Sequence, residues 1–296
     1  MNSGGSPYAQ SSGHQAWPFT VVSMFTANMA ALAERLKASL ERFDLNYALY
    51  QVPTVHRSIS PRGGDDLNFC KPAFIGRMLK QHETPILYLD ADTVIRAAPS
   101  KVALFASQPA DFAIYNWLAD QENALYRPVE ASHRFYIFAH SINLFDPEQL
   151  FASGAVQFYT DNARPLLRAW WATIDRHPNV PDDQSLDFTF NFVIDRKSLR
   201  REWLDKDYCR CAFWPHVQPV IDHPQLPDST PRDSFPMAAR IDLSRVRTQP
   251  VRSFFPRDLI FDSQTRNLLR MTSAGPMIVG TVPAVPSFTE LSPAPC

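Results

Sequence analysis

Thr84-Pro85-Ile86-Leu87-Tyr88-Leu89-Asp90-Ala91-Asp92-Thr93-Val94-Ile95 is the segment on which the architecture of this chain hangs. The apolar run from Ile86 to Leu89 suits a strand buried on both faces, as in the middle of a mostly parallel sheet. It stops at two carboxylates spaced i and i+2, which point the same way while a chain stays extended. The spacing predicts that Asp90 and Asp92 converge at the carboxyl end of a central strand, where open α/β sheets place their ligands. Two such carboxylates repel unless a cation joins them, and their oxygens suit Mg²⁺ or Mn²⁺. A solvated turn is the plain alternative, and it would need one Asp.

Two strand patterns precede this one. Residues 17–25 read as a first buried strand running into Thr26-Ala27-Asn28, with Asn28 as a helix N-cap. Leu32, Leu36, Leu40 and Phe43 then mark one helical face, and residues 47–52 form a second strand before Pro53. This βαβ start predicts a parallel sheet with right-handed crossovers. A polar loop follows at 56–66, with Arg57, Arg62 and Gly63-Gly64, read as mobile and exposed. Pro72 opens a helix burying Phe74 and Met78. Lys71 sits at that helix's amino end, where a cation is disfavoured by the dipole, so an external anion is its expected partner. A solvated lysine is the alternative.

Downstream, Pro99-Ser100 opens a short helix through Val102 and Phe105, and residues 111–117 form a strand. An irregular stretch runs to 135–138. Residues 153–159 form a strand entered through Ser153-Gly154, where glycine permits a bulge or the close approach of a ligand. Asn162 is the expected cap of a helix carrying Leu166, Leu167, Trp170, Trp171 and Ile174. Asp182-Asp183-Gln184 precedes another apolar-periodic segment, 186–194; two carboxylates and an amide exceed what an N-cap needs. Strand candidates follow at 208–214 and 217–221, the second ending in Asp222-His223. That histidine suits a metal ligand, a phosphate donor or a cap. Beyond 225 an irregular, proline-rich tail is expected, with one strand at 277–282.

With 296 residues, 45% hydrophobic and 20% charged, the chain has material for a sizeable core. A net charge of −1 removes any general electrostatic case for nucleic acid or an anionic membrane. Cys209-Arg210-Cys211 lacks the two-residue spacer of zinc and redox sites, so alternating residues on one strand are expected there. Neither a signal peptide nor a membrane span is read from the sequence, and a cytoplasmic location is the expectation.

Asp-x-Asp at a strand end is used by two families. Leu87-Tyr88-Leu89-Asp90-Ala91-Asp92-Thr93 resembles the opening motif of haloacid-dehalogenase phosphatases, which would make Asp90 a nucleophile and Asp92 a general acid/base. The broader resemblance, from the first strand to about His223, is to GT-A-fold nucleotide-diphospho-sugar transferases, bacterial and distantly glycogenin-like. It is carried by the Lys71-Pro72 helix, Asp90-Ala91-Asp92, Ser153-Gly154, Asp183-Gln184 and His223, in that order. Ala152 stands where glycogenin-like proteins have Asn. The resemblance implies an α/β, Rossmann-like fold with a mixed, mostly parallel sheet flanked by helices. It implies a flexible leader at 1–16, a catalytic domain at 17–224 and an irregular extension at 225–296 packed on that domain.

The same resemblance implies a nucleotide pocket lined by Ser23, Phe25 and Thr26, and a donor faced by Lys71. It implies Mn²⁺ or Mg²⁺ on Asp90, Asp92 and His223, Asp90 also serving the ribose, and a sugar held by Ser153, Gly154, Asp183 and Gln184. The implied reaction is metal-dependent transfer from a UDP-sugar to a glycan, lipid-linked or protein acceptor, with retention. Trp117, Tyr136 and Trp214 are candidate acceptor stackers. A sugar-nucleotide-binding domain without turnover is the non-enzymatic alternative.

Overall fold

The computed structural model describes residues 6–11, 17–52, 70–117, 119–120, 148–176, 182–210, 216–223, 259–262, 267–272 and 275–281. The 56–66 loop, the 135–138 stretch, Tyr136, Cys211 and Trp214 lie outside the described residues. In chain order the main elements are β1 (Ala9–Gln10), β2 (Thr20–Phe25), α1 (Ala30–Glu41), β3 (Tyr47–Gln51), α2 (Lys71–His82), β4 (Ile86–Leu89) and β5 (Val94–Ile95). Then come α3 (Ser100–Ser107), β6 (Phe112–Asn116), β7 (Ala152–Tyr159), α4 (Arg164–Arg176), α5 (Asp182–Phe188), β8 (Arg201–Leu204), β9 (Ile221–Asp222), β10 (Leu259–Asp262), β11 (Asn267–Thr272) and β12 (Gly275–Thr281).

A seven-stranded sheet in the order β1-β3-β2-β4-β7-β6-β8 forms the centre. β3, β2 and β4 pair in parallel, as do β6 and β8; β7 runs against both β4 and β6, and β1 against β3. Five of the seven strands run the same way and β1 and β7 oppose them, so the sheet is mixed and mostly parallel, as expected. Two layers of apolar contact explain the continuous hydrophobic runs. Val21, Phe25, Leu87 and Leu89 face Leu36 and Leu40 of α1 and Val102 and Phe105 of α3. Their neighbours Val22, Met24, Ile86 and Tyr88 face Phe74 and Met78 of α2 and Leu167, Trp170 and Ile174 of α4. Strand alternation thus feeds both faces of β2 and β4 with apolar side chains.

Local chemistry departs from the sequence reading in several places. Asn28 lies inside a 3₁₀ turn, Ala27–Met29, and accepts the Thr26 hydroxyl, while α1 begins behind Met29 without a side-chain cap. Asn162 likewise sits in a 3₁₀ turn, and its amide donates to Asp111 Oδ1 at 3.0 Å. That carboxylate also takes Arg200 from the side chain and from the backbone N–H, tying the start of β6 to the approach of β8. Within the expected leader, β1 adds to the edge of β3. The 186–194 periodicity divides into α5 and a π turn, Thr189–Val193. Cys209 closes a 3₁₀ turn rather than lying on a strand. The tail contains a three-stranded antiparallel sheet, β10-β11-β12, where one strand was expected.

Candidate active site

Parallel pairing brings the carboxyl ends of β2, β3 and β4 to one edge of the sheet. Antiparallel β7 brings its amino end, Ala152-Ser153-Gly154, to the same edge, where Asp90 N–H donates to Ala155 O at 2.9 Å. The expected sheet-edge location of Asp90-Ala91-Asp92 and Ser153-Gly154 is therefore the observed one.

The backbone does not stay extended through the acidic pair. Thr93 bonds Asp90 O with its N–H at 3.0 Å and its hydroxyl at 2.8 Å, closing a turn over Ala91 and Asp92. The turn gives the two carboxylates different partners. Asp90 stays on the face of Tyr88 and α2: its Oδ1 accepts the Tyr88 hydroxyl at 3.0 Å and meets Lys71 Nζ at 3.0 Å. Asp92 takes another partner: its Oδ2 lies 3.0 Å from His223 Nε2.

Lys71 is neither solvated nor open to the crevice. It is 2% exposed, with Asp182 Oδ2 at 2.7 Å, Gly154 O at 3.4 Å and the Tyr88 ring centroid 5.2 Å away. Burial pushes the ammonium down, but the charges of Asp182 and Asp90 outweigh it and hold Lys71 well above its ordinary value. The Gly154 carbonyl also accepts Gln157 Nε2 at 2.9 Å, and Gln157 Oε1 accepts the Tyr159 hydroxyl at 2.7 Å. α5 lies against Gly154: a Cβ there would stand at contact distance, 3.4 Å from Asp183 Cβ, 3.7 Å from Asp182 Oδ2 and 4.0 Å from Lys71 Nζ. The close neighbour of this glycine is therefore a helix amino end.

At the other carboxylate, burial alone would lower His223, yet the hydrogen bond and charge of Asp92 raise it. Burial would raise Asp92, and the His223 contact lowers it. The pair thus favours imidazolium against carboxylate. Arg35 of α1 donates from Nη2 to Asp92 O at 2.9 Å, fixing the turn from the opposite side.

The remaining predicted residues divide by location. Ser23, Phe25 and Thr26 are buried with no measurable exposure; Phe25 is covered edge-on by the exposed ring of Tyr8, while Ser23 Oγ is a buried hydroxyl without a hydrogen-bond partner among the described residues. Ser153 and Asp183 are partly exposed at the sheet edge and at the start of α5. Gln184 lies within α5, its side chain outside the described residues, and Trp117 is 6% exposed in the core. Residues the sequence reading missed are Tyr88, Gln157 and Arg35, while Asp182, read there beside Asp183, proves to be the carboxylate on Lys71. Gln157 carried a usable signal, an amide between Val156 and Phe158 in an apolar run.

The implied metal can be tested against this geometry. Among the described residues, no group of three or more His, Cys, Asp or Glu side chains surrounds one point. Asp92 and His223 supply an adjacent carboxylate and imidazole, both partly exposed, a donor pair that suits Mn²⁺ or Mg²⁺ with ligand oxygens completing the shell. Asp90 is held by Lys71 through Oδ1, which leaves Asp92 and His223 as the pair in mutual contact.

Fold and site together define an α/β protein with clustered carboxylates at one end of its sheet. No protein-family model matches the sequence, and no curated protein matches it. Among solved structures, the chain is similar to a glycosyltransferase involved in glycosylation of the major capsid of PBCV-1, at 15% identity and TM-score 0.47, over 73% of this chain and 96% of that one. It is also similar to the galactosyltransferase LgtC in complex with donor and acceptor sugar analogues, at 13% identity and TM-score 0.42, over 73% and 93%. A third is the glycosyltransferase GlyE of Streptococcus pneumoniae TIGR4, at 13% identity and TM-score 0.43, over 79% and 65%.

Proposed function

We propose that this chain is a GT-A-type glycosyltransferase that moves a sugar from a nucleotide-diphospho-sugar, a UDP-sugar, to a glycan, lipid-linked or protein acceptor. The observation that carries the reading is the convergence of Asp92 and His223 with the Lys71–Asp90–Asp182 cluster and Ser153-Gly154 at one sheet edge. Retention and a cytoplasmic location belong to the same reading, through the sequence resemblance. Among the described residues no helix is long and apolar enough to cross a membrane.

Asp92 and His223 would hold Mn²⁺ or Mg²⁺, which when bound neutralises the diphosphate as it leaves. Lys71 and Tyr88 hold Asp90 through Oδ1, and its other oxygen would serve a ribose hydroxyl. Ser153, Asp183 and Gln184 would fix sugar hydroxyls and steady positive charge developing at the anomeric carbon. The sugar need only be oriented for such a transfer, so rigid placement of these groups is the protein's main contribution.

The phosphatase alternative needs Asp90 as nucleophile with Asp92 beside it as acid. The turn sends Asp92 to His223 instead, which favours the transferase reading. The test is a thermal-shift panel of nucleotides and nucleotide sugars with and without Mn²⁺, since a ligand of the folded state raises the melting temperature. Mn²⁺-dependent stabilisation by UDP or a UDP-sugar, lost in Asp92→Asn, is expected, followed by donor hydrolysis in the wild type. Unchanged nucleotide affinity in Asp92→Asn would remove the metal role. Binding without hydrolysis under any metal would make the chain a binding domain, and an aspartyl-phosphate on Asp90 would make it a phosphatase.

A further inference from the structure

β9 pairs with β5 through two residues, Val94 with Asp222 and Ile95 with Ile221. A ladder that short has little stability of its own. Its support comes from Asp222, 1% exposed, whose Oδ2 meets Arg210 Nη2 at 2.5 Å and Arg96 Nε at 3.3 Å. Arg210 is 5% exposed; it forms a parallel bridge with Asp222, and its carbonyl accepts the His223 N–H at 2.8 Å. Arg96, just past β5, donates its N–H to Val220 O at 2.8 Å. The carboxylate is thus gripped by an arginine from each side of β9.

Side chains on an extended strand alternate in direction. With Asp222 turned into the arginines, His223 faces the opposite way, where it meets Asp92. A slip of one residue would exchange the two and aim an aspartate at Asp92. Buried ion pairs contribute little net stability compared with apolar packing, so a role in fixing register accounts better for this one. We infer that Arg96, Asp222 and Arg210 form a positioning device that sets the register of β9 and thereby holds His223 against Asp92. The geometry stands on its own; its consequence for ligand binding rests on the transferase reading.

The test uses the full chain. Ring-nitrogen NMR signals of His223, assigned with His223→Gln, are recorded without metal at one mildly alkaline pH, and Mn²⁺ binding is then measured by electron paramagnetic resonance. Asp222→Asn is expected to move the His223 signals to those of a solvated imidazole and to weaken Mn²⁺ binding by about 10–100-fold, the usual effect of losing a ligand-orienting residue. Asp111→Asn, which removes a distant ion-paired carboxylate, should change neither. Unchanged His223 signals in folded Asp222→Asn overturn the inference. If that variant does not fold, Arg96→Met, which removes the longer contact at the partly exposed end, must move the same signals or the inference falls. If the signals move in the variant while the wild type takes up no Mn²⁺, the device stands and the metal reading fails.

Discussion

Lys71→Met removes an ammonium that two carboxylates share. Asp182 and Asp90 lie 2.7 Å and 3.0 Å from Nζ. At an effective dielectric of about 20, each such pair is worth roughly 5–6 kcal/mol of attraction. Removing the ions from water offsets most of that, so the intact cluster adds little net stability. The loss becomes visible when one partner goes. Methionine nearly matches the lysine stem but leaves Asp182, 7% exposed, without its cation, and breaking a buried pair costs about 3–5 kcal/mol. Urea unfolding of Lys71→Met at neutral pH should show a loss of that size. Lys71→Met combined with Asp182→Asn should recover at least about 1 kcal/mol of it, because the orphaned charge is gone. A single variant within about 1 kcal/mol of wild type, or strictly additive losses in the double variant, would refute the argument.

Two further outcomes can be checked alongside. Burial raises Asp111, but the Arg200 and Asn162 hydrogen bonds outweigh it and hold the carboxyl below its ordinary value. A depressed folded pKa contributes stability above the unfolded value, near 4, that is lost as pH falls through the folded one; acid titration of Asp111→Asn by circular dichroism should show a weaker loss than wild type in that window. Gly154→Ala would meet contacts of 3.4–4.0 Å and should fold with stability within about 1 kcal/mol of wild type, whereas Gly154→Val adds branches against α5 and should cost roughly 1–3 kcal/mol in urea unfolding. Equal stability of the Val variant would mean that α5 can withdraw freely.

The α/β core could be read in advance because its signals are local. Ile86 to Leu89 feeds both faces of the sheet, and Leu36 and Leu40 repeat at helical spacing, so strand and helix announce themselves. The direction of β7 could not, since an apolar strand reads the same in either orientation. β8 was missed altogether: Arg201-Glu202-Trp203-Leu204 is an edge strand with polar residues, and its place depends on pairing with β6. At the site, the acidic pair and its sheet edge were apparent from spacing. The turn that gives its members different partners was not, because the Thr93 hydroxyl and N–H close it. Asp182 and Asp183 read alike in the sequence, since which of two adjacent carboxylates faces Lys71 depends on how α5 approaches Gly154.

The β5–β9 ladder has a kinetic consequence. Asp92 and His223 are 131 positions apart, whereas β4 pairs with β2 and β7 through nearer segments of chain. Closing so long an excursion is entropically costly and yields two residue pairs, so the ladder belongs to the last contacts made during folding. The large sheet can consolidate first, with the crevice still lacking its imidazole. Hydrogen exchange should therefore find amides around Asp222 opening more readily than those of β4, making the arrival of His223 a separate and reversible event in the life of the folded chain.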